Sequence, residues 1–150
     1  MAKPRARTRF GQNFLVDTAF VSKIITALRV TAGDHIVEVG PGHGALTELL
    51  LSSGATLDAI EIDRDLAAVL QQKFAIWENF TLHVEDALQF DLASIAAGDA
   101  LRIVGNLPYN ISTPLLFHFL QQRQYIRDMH FMLQSEVVDR MVATPDTKAY

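Results

Sequence analysis

The 150-residue sequence predicts an α/β protein built on a doubly wound, mostly parallel sheet. Three observations carry that expectation. The stretch His35-Ile36-Val37-Glu38-Val39 is apolar and β-branched, runs into Gly40-Pro41-Gly42-His43-Gly44, and gives way to Leu46, Leu49 and Leu50 at helical spacing. That order reads as strand, tight loop, helix. Further strand-like runs then alternate with helical ones, and their interiors are nearly continuous apolar residues, as in sheets covered on both faces. Each of the first four runs also ends in a polar or ligand-competent group: the glycines, then Glu61, then Asp86, then Asn106 to Tyr109. In an open parallel sheet ligands bind outside the carboxyl ends of the strands.

The elements follow in order. Lys3, Arg5, Arg7 and Arg9 open the chain with no acid among residues 1–9, although the net charge is −4. Residues 1–9 are therefore a basic arm able to grip phosphates, and residues 10–150 are one folded domain. Phe10-Gly11-Gln12-Asn13-Phe14-Leu15 is a turn ahead of a helix that Asp17 can cap, with Phe20, Ile24 and Leu28 in a stripe widened by Val21 and Ile25. Thr31 to Asp34 is a turn into the first strand. The second strand is expected over 56–62, and Asp63 caps a helix that buries Leu66, Val69, Leu70 and Phe74. Strands are expected over 80–84, 101–104 and 129–133. A helix is expected to start at Thr113 with Pro114 in the favoured first position, so that Ser112-Thr113-Pro114 is a cap rather than a nucleophile. Residues 135–142 read as a last helix. The sequence ends soon after it with no closing strand, which suggests truncation of a larger protein.

Composition excludes several classes. With no cysteine there are no disulfides, thiolate metal sites or cysteine nucleophiles, and a reducing cytoplasm is the expected home. No apolar run approaches the length that spans a bilayer, so no membrane partner is expected. His35, His43, His83, His118 and His130 lack metal-ligand spacing, so no metal site is expected. Trp77, Phe117 and Phe119 read as core or helix-surface packing. A monomer is expected, although oligomeric state leaves no mark on the sequence.

Glycines at 40 and 42 can take positive φ and admit a ligand close to the backbone, and N–H groups at the following helix start offer donors. With Glu61 about 20 residues on, the loop fits both a dinucleotide and S-adenosylmethionine. The later strands favour the second. An acid after the third strand and Asn106-Leu107-Pro108-Tyr109 after the fourth suit an adenosyl sulfonium donor with a planar amine acceptor. Glu61 would hold the ribose hydroxyls and Asp86 the adenine amino group. An aromatic amine is a poor nucleophile because its lone pair is delocalised. The Asn106 carbonyl and a backbone carbonyl near Leu107 or Pro108 can favour the pyramidal form, while Pro108 stiffens the backbone and Tyr109 offers a stacking face for an extruded base.

Phe10 to Leu15, Val37 to Gly44, Glu61-Ile62-Asp63, Glu85-Asp86-Ala87 and Asn106-Leu107-Pro108-Tyr109-Asn110-Ile111-Ser112 together resemble the ribosomal RNA adenine N6,N6-dimethyltransferase family, in particular its bacterial small-subunit branch. The resemblance runs from about Arg9 to Tyr150 and includes Met132 to Val137. It implies a Rossmann-like class I fold and S-adenosyl-L-methionine as cofactor. It also implies N6,N6-dimethylation of two adjacent adenosines near the 3′ end of small-subunit ribosomal RNA, on a pre-30S particle during ribosome biogenesis. Asn13 and Leu15 would close over the cofactor, with Gly40, Gly42, Glu61, Asp86 and Asn106 lining its pocket and Asn106, Leu107, Pro108 and Tyr109 forming the catalytic segment. Family members continue into further strands and a small helical C-terminal domain.

Other functions fit parts of the pattern. A class I methyltransferase on DNA adenine or a protein amide shares the cofactor features, and a methyltransferase-like ribosome-assembly or nucleic-acid-binding factor would need no catalysis. A nicotinamide oxidoreductase explains neither Asp86 nor Asn106 to Tyr109.

Overall fold

The apolar runs form a five-stranded sheet in which every pairing is parallel. The computed structural model describes residues 18–133, so Asp17, the basic arm and the expected helix over 135–142 lie outside the described residues. In chain order the elements are α1 (Thr18–Leu28), β1 (His35–Val39), α2 (Ala45–Ser52), β2 (Thr56–Ile60), α3 (Arg64–Phe74), β3 (Phe80–His83), α4 (Ala93–Ala96), β4 (Leu101–Leu107), α5 (Tyr109–Leu120) and β5 (Ile126–Leu133). Single 3₁₀ turns at Ala87–Gln89 and Arg123–Tyr125 were not anticipated from the sequence.

The strand order is β3-β2-β1-β4-β5. The chain winds outward from β1 through β2 to β3, then crosses to the other side of β1, so the helices fall on both faces. Two separate cores record this. On one face Val21, Ile24 and Leu28 of α1, Leu46, Leu50 and Leu51 of α2, and Leu70 and Phe74 of α3 pack on Ile36, Leu57 and Val104. On the other, Phe90, Leu92, Leu115 and Phe119 pack on Val37, Val39, Ile60, Leu101 and Ile103. The expected doubly wound architecture is what the chain adopts.

Several expectations need correction. Helix α5 begins at Tyr109, four residues before Thr113, because Pro108 (φ −61°, ψ 149°) supplies the helix start. Its carbonyl accepts from the N–H groups of both Ile111 and Ser112 at 3.0 Å. Ser112-Thr113-Pro114 is therefore not a cap, and at Pro114, inside the helix, the bond to the carbonyl four residues back is forgone. Val69 is exposed. Ala67 takes its place in the buried face with Leu66, Leu70 and Phe74. Of the two phenylalanines on α5, Phe119 is fully buried and Phe117 is 61% exposed. Strand β4 runs three residues past the expected Val104, and β5 starts three residues before Met129.

Buried charges tie the sheet together. Arg102 bonds Asp34 Oδ2 through Nη1 at 2.9 Å and Asp128 Oδ1 through Nε at 3.0 Å. Across β1, β2 and β3, His35 Nε2 lies 2.6 Å from Asp58 Oδ2, His35 Nδ1 lies 2.9 Å from Asp99 Oδ2, and His83 Nε2 lies 2.7 Å from Asp58 Oδ1. A carboxylate only accepts, so ionised Asp58 and Asp99 are both served only when His35 carries a proton on each nitrogen, which favours its imidazolium form. The hydrogen bond to Asp58 lifts His35 above its ordinary value of 6.5 against its burial. Burial pushes Asp58 up, but hydrogen bonds from His35 and His83 outweigh it and hold the group below 3.8.

A raised histidine contributes stability that is complete below its unfolded value and lost as pH rises through its folded one. A lowered aspartate contributes stability that is complete above its unfolded value and lost as pH falls through its folded one. The cluster therefore stabilises most between 3.8 and 6.5. Denaturant unfolding from about pH 5 to about pH 9 is expected to show stability falling above 6.5, with the fall flattened in His35→Gln.

Candidate active site

The strand order reverses between β1 and β4, and the crevice at such a switch point is where ligands bind in this class of sheet. The glycine loop leaves β1 there. Gly40, Gly42 and Gly44 have φ of +67°, +60° and +92°, a region that side chains other than glycine rarely adopt. Within the loop, the Gly40 N–H bonds the Ile60 carbonyl and the Gly44 N–H bonds the Pro41 carbonyl, both at 3.0 Å. The Gly42 N–H serves the Glu61 carboxylate. What the loop leaves is space, since a Cβ at Gly42 would meet nothing within 4 Å. At Gly44 a Cβ would lie 2.5 Å from Phe74 Cε2, so α3 packs against the bare backbone there.

Glu61 directly follows β2 and is 6% exposed. Its N–H extends the ladder to the His83 carbonyl at 2.9 Å, and its Oε2 accepts from the Asp63 N–H at 2.9 Å. Burial raises its carboxyl above the usual range, against the hydrogen bonds from Asp63, Gly42 and Ile62. Glu61 thus joins the end of β2 to the glycine loop. Asp86 stands three residues beyond β3, half-buried, and its Oδ1 accepts from the Leu88 N–H at 2.9 Å to cap the 3₁₀ turn. It keeps to its own turn at the carboxyl end of β3.

Strand β4 outruns β1. Val39 pairs with Gly105, and beyond it Asn106 and Leu107 pair only with Met132 and Leu133 of β5. Those two residues therefore border the crevice beside the glycine loop. Leu107 Cδ2 lies 3.0 Å from where a Cβ on Gly40 would stand, which brings the two motifs into contact. Asn106 Oδ1 is buried and has no hydrogen-bond partner among the described residues. Such an orphaned acceptor costs about 1–3 kcal/mol. Pro108 then leads into Tyr109, the first residue of α5. Asn13 and Leu15 lie outside the described residues.

The sequence reading missed Glu38 and Thr47. Glu38 is the fourth residue of β1 and 2% exposed, and its Oε1 accepts from the Oγ1 of fully buried Thr47 at 2.6 Å. Burial, opposed by this hydrogen bond and helped by the charge of Glu61, pushes Glu38 up to about 7. The available signal was an acid inside a strand whose neighbours are all apolar, since buried glutamates are rare unless partnered. Among the described residues no group of three or more His, Asp or Glu side chains stands where it could hold a metal ion, and no helix is long and apolar enough to cross a membrane.

The parallel order, the glycine loop at the switch point and the polar strand ends define a Rossmann-like class I methyltransferase fold. The chain belongs to the ribosomal RNA adenine dimethylase family, whose model matches residues 3–150. It is 58% identical over 142 residues to the ribosomal RNA small subunit methyltransferase A of Pseudomonas putida, covering 94% of this chain and 53% of that protein. The protein of the same description from Methylococcus capsulatus is 57% identical over 137 residues, covering 91% and 53%. The chain spans about half the length of the curated relatives it matches.

Among solved structures, the 23S rRNA methyltransferase ErmE superposes with a TM-score of 0.73 at 24% identity, covering 87% of this chain and 51% of that one. A dimethyladenosine transferase from Plasmodium falciparum gives 0.65 at 27%, covering 83% and 44%. The glycopeptide N-methyltransferase MtfA complexed with sinefungin shares the fold at 0.55 and 19% identity, covering 73% and 45%.

Proposed function

We propose that this chain is the cofactor-binding part of an enzyme that dimethylates N6 of two adjacent adenosines near the 3′ end of small-subunit ribosomal RNA. Its cofactor is S-adenosyl-L-methionine, its substrate particle is a pre-30S ribosomal particle, and it works as a monomer in the cytoplasm. Residues 1–9 are a basic arm for RNA phosphates, and residues 10–150 are the methyltransferase domain. The observation that carries the reading is the buried, unpartnered Asn106 Oδ1 at the switch point, in a segment that touches the glycine loop.

The residues fit the cofactor. Gly40 and Gly42 leave room beside the backbone, Glu61 offers a partly desolvated carboxylate to ribose hydroxyls, and Asp86 offers an acceptor to the adenine amine. Asn13 and Leu15 close over it, and Asn106 lines it. When bound, S-adenosylmethionine supplies an activated methyl group on a sulfonium.

The protein's own work is positioning and charge placement. Asn106 Oδ1 accepts one N–H of the substrate adenine amine. The Pro108 carbonyl is committed to the first turn of α5, which leaves the Leu107 carbonyl as the second acceptor. Together they turn the N6 lone pair toward the donor, while Tyr109 stacks on the extruded base. At each addition N6 would gain the methyl carbon as that carbon's bond to sulfur breaks, and would give up a proton to water; the amine becomes acidic enough as it is alkylated that no strong base is required.

Labelled S-adenosylmethionine supplied with small-subunit RNA, adenine-containing DNA or a peptide amide is expected to place label on adenine N6 of the RNA. Label on DNA or peptide instead would overturn the acceptor. For the cofactor, calorimetry is expected to show saturable binding of S-adenosylmethionine and none of NAD. Asp86→Ala is expected to weaken that binding about tenfold, the worth of roughly one hydrogen bond. Binding of NAD alone would overturn the cofactor assignment.

A further inference from the structure

Glu38 and Thr47 stand at the two feet of the glycine loop. Glu38 is one residue short of the end of β1, Thr47 is the third residue of α2, and between them run three glycines in the left-handed region. Glycine loses more conformational freedom on ordering than any other residue. The loop therefore costs more to hold in one shape than an ordinary turn. Helix α2 adds to the problem, because its N-cap is Gly44 and no side chain caps its first turn.

The Thr47 hydroxyl, donating to Glu38 Oε1 at 2.6 Å, is the only side-chain hydrogen bond between β1 and α2 among the described residues. Both ends of it are buried. A leucine at position 38 would serve the core without the desolvation cost of an acid, so the acid's contribution is this one strut beneath the loop.

We propose that Thr47 is a positioning residue for the cofactor: acting through Glu38, it holds the foot of α2 against the end of β1, so the glycine loop has its binding shape before the ligand arrives. The inference rests on the S-adenosylmethionine reading. Preorganising a loop raises affinity by removing the ordering cost from the binding step. The same hydroxyl also governs the proton on Glu38. Burial and the charge of Glu61 push that carboxyl up and Thr47 opposes them, so loss of the hydroxyl leaves Glu38 protonated over a wider pH range.

The test uses the full chain as wild type, Thr47→Val, Thr47→Ser and Glu38→Gln, titrated calorimetrically with S-adenosylmethionine. In parallel, the Glu38 carboxyl is titrated by carbon NMR without ligand. Thr47→Val keeps the shape and removes the donor, and it is expected to bind about tenfold more weakly, the net worth of an ordinary hydrogen bond. Thr47→Ser restores the donor and is expected to come within about twofold of wild type. The Glu38 midpoint is expected to rise above about 7 in Thr47→Val and to return in Thr47→Ser.

Glu38→Gln retains an acceptor for Thr47 and is expected to bind within about threefold of wild type, which tests the strut even if Thr47→Val does not fold. Equal binding by wild type and Thr47→Val, a Thr47→Ser variant as weak as Thr47→Val, or a tenfold loss in Glu38→Gln would each overturn the inference alone. Failure of the wild-type chain to bind S-adenosylmethionine would overturn the cofactor reading, and the inference with it.

Discussion

Asn106→Ala is expected to lower methyl transfer to RNA by about a hundredfold to a thousandfold, the usual effect of removing one preorganised group that acts on the transition state. It is expected to leave the fold as stable as before or slightly more so. The two halves of that expectation have one cause. Asn106 Oδ1 is buried without a partner among the described residues, so the folded protein carries an unpaid desolvation of about 1–3 kcal/mol. Removing the amide relieves that cost. A group retained at the expense of stability is one kept for another purpose. Thermal unfolding and single-turnover methylation on the same preparation check both halves. Unfolding at a clearly lower temperature would mean that Asn106 has a structural partner, and unchanged methylation would remove it from the chemistry.

The main lines of this arrangement were legible in the sequence because the features that specify them are local. Five strands show as apolar runs, and their parallel order follows from the helices between them. Asn106 to Tyr109 and the glycine loop are contiguous motifs, and their contact follows once β1 and β4 are neighbours. What escaped depends on distant partners. Glu38 looks like a flaw in a strand until Thr47 comes back over it from the next helix. His35, Asp58, His83 and Asp99 are an unremarkable scatter along the chain and become one hydrogen-bonded cluster only across three adjacent strands and the turn before β4. The start of α5 was misplaced for a different reason. Two prolines compete to begin it, and the sequence gives no means of seeing that the Pro108 carbonyl takes two N–H groups from the turn ahead.

The glycines of the loop separate stability from binding, and alanine substitutions at two of them are expected to diverge sharply. At Gly44 an added methyl would lie 2.5 Å from Cε2 and 2.8 Å from Cζ of Phe74, a ring that is 1% exposed and locked between α3 and the sheet. Phe74 cannot swing away, because it also packs 5.5 Å from the ring of Phe80. The left-handed backbone at φ +92° costs a further about 1–2 kcal/mol for any residue with a Cβ. Overpacking of a filled core adds about 1–3 kcal/mol, so Gly44→Ala is expected to destabilise the fold by about 3 kcal/mol. Gly42→Ala meets the same backbone strain at φ +60° but no neighbour within 4 Å, and is expected to cost only about 1–2 kcal/mol. Its methyl group fills the open side of the loop, however, and its amide is one of those that reach Glu61. Gly42→Ala is therefore expected to stay folded and lose most of its affinity for S-adenosylmethionine. Denaturant unfolding and calorimetric titration of the two variants decide the matter: Gly44→Ala as stable as Gly42→Ala would refute the Phe74 contact, and undiminished binding by Gly42→Ala would place the ligand elsewhere than over the loop.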